Sequence, residues 1–243
     1  MTKDQLKKYL DSVIDDIRKL YINTQERIQE IQKNASSEWT TVYSVPVHMT
    51  PEQQATNAAI MQDAVNKLNE EYRNKVDAKI QEAMDFIATL KKTAIQDVAA
   101  AEPVPTDIQL RMAEQIKKEY GYNGNALALD RVNQFETDMN YHVDNETVKG
   151  YPYYLVAMEL FPDNAEILDS VYKKLFPSLV EKKAALADIE ECERFFKATI
   201  IIHKFDTISN PTEADQLELI RMKTELAELG EIGKLNQRVI RYL

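Results

Sequence analysis

Glycine is scarce in this chain: 5 residues in 243, where ordinary usage of about 7% would give roughly 17. Tight β-turns draw on glycine for positive φ, so the deficit excludes a many-stranded β protein. Long helices, which need few turns, explain it. Cysteine is scarcer still, with Cys192 alone. No intrachain disulfide is possible, which fits a reducing compartment and leads us to expect a cytoplasmic protein. The opening Met1-Thr2-Lys3-Asp4-Gln5 is polar, with no signal-peptide core. No apolar run reaches transmembrane length, so no membrane role is expected.

Histidine is limited to His48, His142 and His203. None has Glu three residues before it, as a bundle-core di-metal site would require, and His-Glu-x-x-His is missing. On one helix Cys192 and His203 would share a face but lie about 16 Å apart. We therefore expect no metal and no cofactor. Positive charge is also short, with 30 Lys and Arg against 40 Asp and Glu and a net charge of -10. Such a surface repels phosphate backbones. Lys117-Lys118, Lys173-Lys174 and Lys182-Lys183 are isolated pairs beside acids and read as solvated helix faces. Residues Gln109 to Val132 can be drawn as a helix-turn-helix, but the second helix opens with one positive charge, Arg131. A plain helical hairpin is the better reading.

What the chain does contain is amphipathic helix. Thr2-Lys3-Asp4-Gln5 is a capping box. Leu6, Leu10, Val13, Ile17 and Leu20 follow at coiled-coil spacing. The stripe then crosses Thr24 to Ile28 and Ile31, and the two successive four-residue steps resemble a stutter. A connection from 35 to 49 contains Trp39 to Val47, which is β-branched and aromatic. Pro46 argues against a central strand, so we expect an extended loop lying on helices, with Trp39 partly buried.

Thr50-Pro51-Glu52-Gln53 starts a second helix. Its apolar positions recur at Met61, Val65, Leu68, Tyr72, Val76, Ile80, Ala83, Ile87, Leu90, Ala94 and Val98, and neither Pro nor Gly interrupts them before Pro103. A rod of roughly 50 residues is about 75 Å long, and its stripe must be covered by the first helix, by a partner chain, or by both. The break at Ala99 to Pro105 is the expected boundary between a hairpin over 1–102 and a helical bundle over 106–243. In the bundle, helices are expected from Thr106 to Tyr120, from about Asn125 to Tyr141, and from Pro152 to Phe161. Further ones are expected after Asp163-Asn164, from Ser178 towards His203, and after Asn210-Pro211. Thr199 to Ile202 is locally β-like but is read as helix from its context. The expected fold class is thus all-α: a long N-terminal coiled-coil-like hairpin plus a C-terminal helical bundle.

Local motifs supply no catalytic residues. Cys192 lies in Glu190-Glu191-Cys192-Glu193, where carboxylates oppose thiolate formation, and reads as a small core residue. Gly230-Glu231-Ile232-Gly233-Lys234 lacks the spacing, the hydroxyl residue and the preceding strand of a phosphate loop. Adjacent acids such as Asp15-Asp16 and Glu70-Glu71 point about 100° apart on a helix and form no ready-made pair. Tyrosine is the richer signal, with 12 in the chain. Tyr120, Tyr122, Tyr141, Tyr151, Tyr153 and Tyr154 crowd its middle. They either close a modest core around short helices or, with Trp39, face a partner; in the second case Tyr151 and Tyr153 are the anchors.

The expected function is a non-enzymatic interaction or assembly protein that binds another protein or a second copy of itself. In composition the chain is like acidic, helix-rich, cysteine-poor phage structural, scaffolding and host-targeting proteins, a likeness that no residue motif carries. The rival reading is an enzyme or small-ligand binder with a pocket near Tyr141, His142 and Tyr153. A nucleic-acid binder ranks third.

Overall fold

The structure, a computed structural model, describes residues 1–35, 39–42, 45–122, 127–206 and 212–228. Among them are helices α1 (Lys3–Ala35), α2 (Pro51–Ala101), α3 (Asp107–Tyr120), α4 (Leu129–Asp144), α5 (Gly150–Leu160), α6 (Ala165–Leu175), α7 (Pro177–Asp206) and α8 (Glu213–Glu228). Two short strands, β1 (Trp39–Val42) and β2 (Val45–His48), stand between α1 and α2. The fold is all-α. No helix among the described residues is long and apolar enough to cross a membrane.

The helix starts follow from local chemistry. Thr2, Thr50 and Thr106 each accept from the N–H of Gln5, Gln53 and Gln109, while those glutamines reach back to the threonine N–H. Each box satisfies two donors that a helix start leaves open. Asn164 caps α6 by accepting from the N–H of Ile167. The end of α3 is equally specified. Gly121 takes φ 71°, the Tyr122 N–H bonds the Lys117 carbonyl at 2.8 Å, and the Gly121 N–H bonds that of Lys118 at 3.1 Å. This paired closure needs a left-handed residue, which glycine supplies.

The chain forms two compact units. One comprises Met1–Lys91 with the described residues from Asp188 onward, the other Lys92–Ala187. Sequence suggested a boundary at 102–106 instead. The division differs because the second half of α7 returns to α1 and α2: Phe195, Phe196, Ala198, Ile200 and Ile202 share a core with Leu6, Leu10, Ile14, Ile17, Val76, Ala83 and Ile87. No local sequence feature marks that return.

In the first unit, partners in α2 step backwards as α1 advances, so the pair is antiparallel. Tyr9 meets Phe86 at 4.9 Å between ring centres. Asp16 accepts from Lys79 at 3.0 Å. Tyr21 meets Tyr72 at 6.0 Å, and Ile28 packs with Val65 and Leu68. Helix α7 runs parallel to α1: Lys3 bridges to Asp188 and Glu191 at 3.2 and 2.7 Å, Lys7 sits over Phe195, and Tyr21 meets His203. Met222 and Leu219 of α8 complete the core. The eleven stripe positions expected on α2 are all buried or half-buried. On α1 the stripe is wider than expected, since Ile14 is fully buried while Val13 is half-buried. Helix α7 provides the second neighbour that a two-helix seam lacks. Thr199 to Ile202 are helical, as expected from context rather than composition.

The 35–49 connection is corrected from a loop to a hairpin. β1 and β2 pair antiparallel in the register Trp39↔His48, Thr40↔Val47, Thr41↔Pro46 and Val42↔Val45. Proline is tolerated because each strand of a two-stranded sheet is an edge. The side chain of Trp39, and the Gly230–Gly233 segment, lie outside the described residues.

The second unit packs α3, α4, α5 and α6 around Ile116, Tyr120, Phe135, Met139, Tyr153 and Val156. Gly150 opens α5 where a Cβ would stand 3.2 Å from the His142 carbonyl oxygen and 3.3 Å from a Leu175 methyl.

Two stability predictions follow from this packing. Phe196→Ala, at a fully buried position, costs about 3–5 kcal/mol in urea unfolding, whereas Ile60→Ala, at an exposed one, stays within about 0.5 kcal/mol. Gly150→Ala destabilises by roughly 1–3 kcal/mol despite alanine's helix preference, because the added carbon overfills the contact; a stabilised variant contradicts that contact.

Candidate functional site

The middle of the chain, where sequence placed its tyrosine cluster, falls within the second unit, and there the rings divide into two groups. The first surrounds Phe135, on the stripe Phe135, Met139, Val143 of α4. Tyr120 closes on Phe135 edge-on at 5.3 Å, and Tyr153 lies tilted against it at 5.4 Å. The Tyr120 hydroxyl donates to the Asp138 carboxylate and lies 3.3 Å from the Tyr153 hydroxyl. His142 stacks on Tyr153 at 5.0 Å with 25° between planes, and its Nδ1 meets Thr147 Oγ1 at 2.8 Å. Asp138 follows Phe135 by three residues and precedes His142 by four, so helical spacing places both polar groups beside the apolar stripe.

The second group joins α5, α6 and the start of α7. Tyr151 stacks with Tyr154 at 6.3 Å and meets Phe176 edge-on at 5.2 Å. Tyr172 packs against Tyr154 and Phe176. Lys183 donates to the Tyr172 hydroxyl at 2.8 Å and lies over its ring. The Tyr151 hydroxyl donates to the Pro103 carbonyl at 3.3 Å, tying α5 to the connection before α3.

Of the tyrosines proposed as partner contacts, Tyr120 and Tyr153 are buried, the latter 3% exposed. Both serve the core, which corrects the choice of Tyr153 as an anchor. Tyr122, Tyr151 and Tyr154 are half-buried. Tyr141 is the exposed one, at 61%, with its ring against His142. The sequence carries no signal for the exposed apolar side chains of the same unit, Val104, Ile108, Leu129 and Val148, from 65% to 84% exposed. Val104 and Val148 sit in connections, where a helical period gives no signal.

Chemical groups elsewhere are quiet. Every buried side-chain nitrogen or oxygen among the described residues has a partner. No three His, Cys, Asp or Glu among those residues converge as a metal would require. Burial, the largest influence, raises the Cys192 thiol above its ordinary value. Lys117, on the outer side of α3, bonds Glu114 at 2.8 Å and Glu159 at 2.6 Å. Lys173 and Lys174 reach Asp169 and Asp144. Lys173 and Lys174 lie on the solvated face expected of a lysine doublet, whereas the Lys117 side chain is largely covered, 16% exposed. Two depressions are described away from the rings. One, of about 380 Å³, is open and lies along α3 at Leu110, Arg111, Glu114, Gln115 and Lys118. The other, of about 190 Å³, lies between α1 and α2 beside Thr24, Arg27, Tyr72 and Lys75. Thr24 donates to the Leu20 carbonyl there at 2.7 Å.

Burial raises the phenols of Tyr120, Tyr151, Tyr153 and Tyr154, and that of Tyr72 up to about 12. In the unfolded chain these groups titrate near 10. Their contribution is complete below that value. Above it the unfolded state binds fewer protons than the folded one, so stability declines between about pH 10 and pH 12. Urea midpoints fall across that interval, and Tyr72→Phe shallows the fall; an unchanged slope in that variant counts against burial as the cause.

No protein-family model, curated protein or solved structure matches the chain, and its role has to be read from its own residues.

Proposed function

We propose that the protein is a non-enzymatic assembly or adaptor protein that meets other proteins through its helical surfaces. The observation that carries this reading is the length of the α1–α2 pair. Helix α7 ends at Asp206, and its last described partners on the pair are Tyr21 and Tyr72, which His203 meets. Past them, among the described residues, α1 and α2 continue as a pair held by Ile28, Ile31, Val65 and Leu68. The β hairpin lies in the connection between them.

A two-helix arm buries a single seam and gains little stability from its length. What it provides is reach and lateral surface. Structural, scaffolding and host-targeting roles, phage-type ones included, belong to this class. The rival, a pocket near Tyr141, His142 and Tyr153, has less support, because Tyr153 and His142 stack on one another and Tyr153 packs on Phe135.

The test is capture of partners from the native host with tagged wild-type protein and with Thr56→Lys/Ile60→Lys, which places charge on exposed positions of the arm. The variant keeps its helical circular dichroism and loses at least one partner that the wild type retains. Identical recoveries from both, together with a rise in Tm on addition of a metabolite, would favour the ligand-binding reading.

A further inference from the structure

The tip of the arm differs in charge from the rest of the molecule. Residues 39–62 hold one charged side chain, Glu52, where the chain's 29% would give about seven. The helices that lead to it are richly charged: Glu26, Arg27, Glu30 and Lys33 stand at the end of α1, and Asp63, Lys67, Glu70 and Glu71 follow on α2. Charge is depleted in the same way at the centres of protein interfaces.

Among the described residues the sheet in this region has β1 and β2 alone, and its two edges differ in character. Antiparallel pairs alternate between hydrogen-bonded and non-bonded. Pro46 has no N–H, and opposite Thr41 it fits without loss only as a non-bonded pair. That arrangement turns the Pro46 nitrogen outward and blunts the free edge of β2. It also turns the N–H and C=O of Thr41 outward, and by the two-residue period those of Trp39, along the free edge of β1. β1 reads Trp-Thr-Thr-Val, strand-favouring throughout, with neither charge nor proline. Thr40 and Thr41 are exposed. Within its four residues β1 carries neither the charge nor the proline that blunts many sheet edges.

We propose that the free edge of β1 pairs with the β1 edge of a second copy of this chain, antiparallel across a two-fold axis at Thr40. The parity of the strand sets this register. Trp39 and Thr41 carry the outward backbone groups, so Trp39 bonds Thr41 of the second copy and Thr40 faces Thr40 as the non-bonded pair. Charge sets where two copies can meet. Two chains of net charge -10 repel over most of their surfaces, and the nearly uncharged tip is where they approach at least cost. An edge-to-edge contact is self-complementary, as a two-fold dimer demands. The inference rests on the assembly reading and names self-association as its form.

The contact is small and therefore weak, so the full chain is measured by sedimentation between about 5 and about 500 µM. Wild type shifts from monomer towards dimer over that range. Association holds or strengthens with added salt, since screening relieves repulsion. Thr41→Pro, which removes the outward donor, raises the dimer Kd at least about tenfold with the helical signal unchanged. In Thr40→Cys the paired Cα atoms stand about 4.5 Å apart, within disulfide reach. Mild oxidation then gives a covalent dimer that wild type, with Cys192 buried, does not form.

A wild type that stays monomeric throughout overturns the pairing while leaving the capture experiment on the arm to decide the assembly reading. A dimer that survives Thr41→Pro, gives no Thr40→Cys cross-link or weakens with salt places the interface elsewhere and overturns it as well.

Discussion

A helix with one apolar stripe is stable where that stripe is covered, and most of this molecule answers that requirement. α1 and α2 have 33 and 51 residues, and most of the stability of such helices comes from packing of the apolar face. Leu10, Ile17, Ala83, Ile87 and Phe196 are almost completely removed from solvent, so the covering is tight where three helices meet. The register is marked by lysines that cross between helices: Lys3 from α1 to α7, Lys79 from α2 to α1, and Lys91 from α2 to Glu190 and Glu193 of α7. Each such bridge is worth little energetically at its exposure. A slipped register would nevertheless separate the charges and misplace the stripe together.

The second unit meets the same requirement differently. Its helices are short, from 11 to 16 residues in α3 to α6, and cannot build a long seam. Aromatic mass replaces length. A buried phenol brings a hydroxyl that must find a partner, and here Tyr120 bonds Asp138 while Tyr153 lies beside Tyr120. The rings therefore fix how α3, α4 and α5 face one another as well as filling the space between them.

Local chemistry was readable in the sequence. Thr2, Thr50, Thr106 and Asn164 announced their helices, and the α2 stripe from Met61 to Val98 was placed residue by residue, because both signals act within a few turns. Contacts between distant segments were not readable. Nothing near Glu191 indicates that Lys3, 188 positions earlier, lies 2.7 Å away, so the return of α7 to α1 has no local signature and the sequence points instead to a boundary between 102 and 106. The hairpin was missed because Pro46 excludes a central strand but permits an edge. The tyrosines were identified as a group, yet their inward or outward direction depends on which helix lies opposite, as Tyr153 and Tyr141 show from the same neighbourhood.

The interrupted composition of the first unit, drawn from residues before 92 and after 187, imposes an order on biosynthesis. During translation α3 to α6 emerge together and find their contacts among near neighbours, which favours early and rapid collapse. α1 and α2 leave the ribosome sooner but wait for α7, with the whole of the second unit to be made before their shared face is closed. For that interval the stripe from Leu6 to Ile17 and its counterpart on α2 lack the cover of α7, and incompletely covered apolar surface is what chaperones hold.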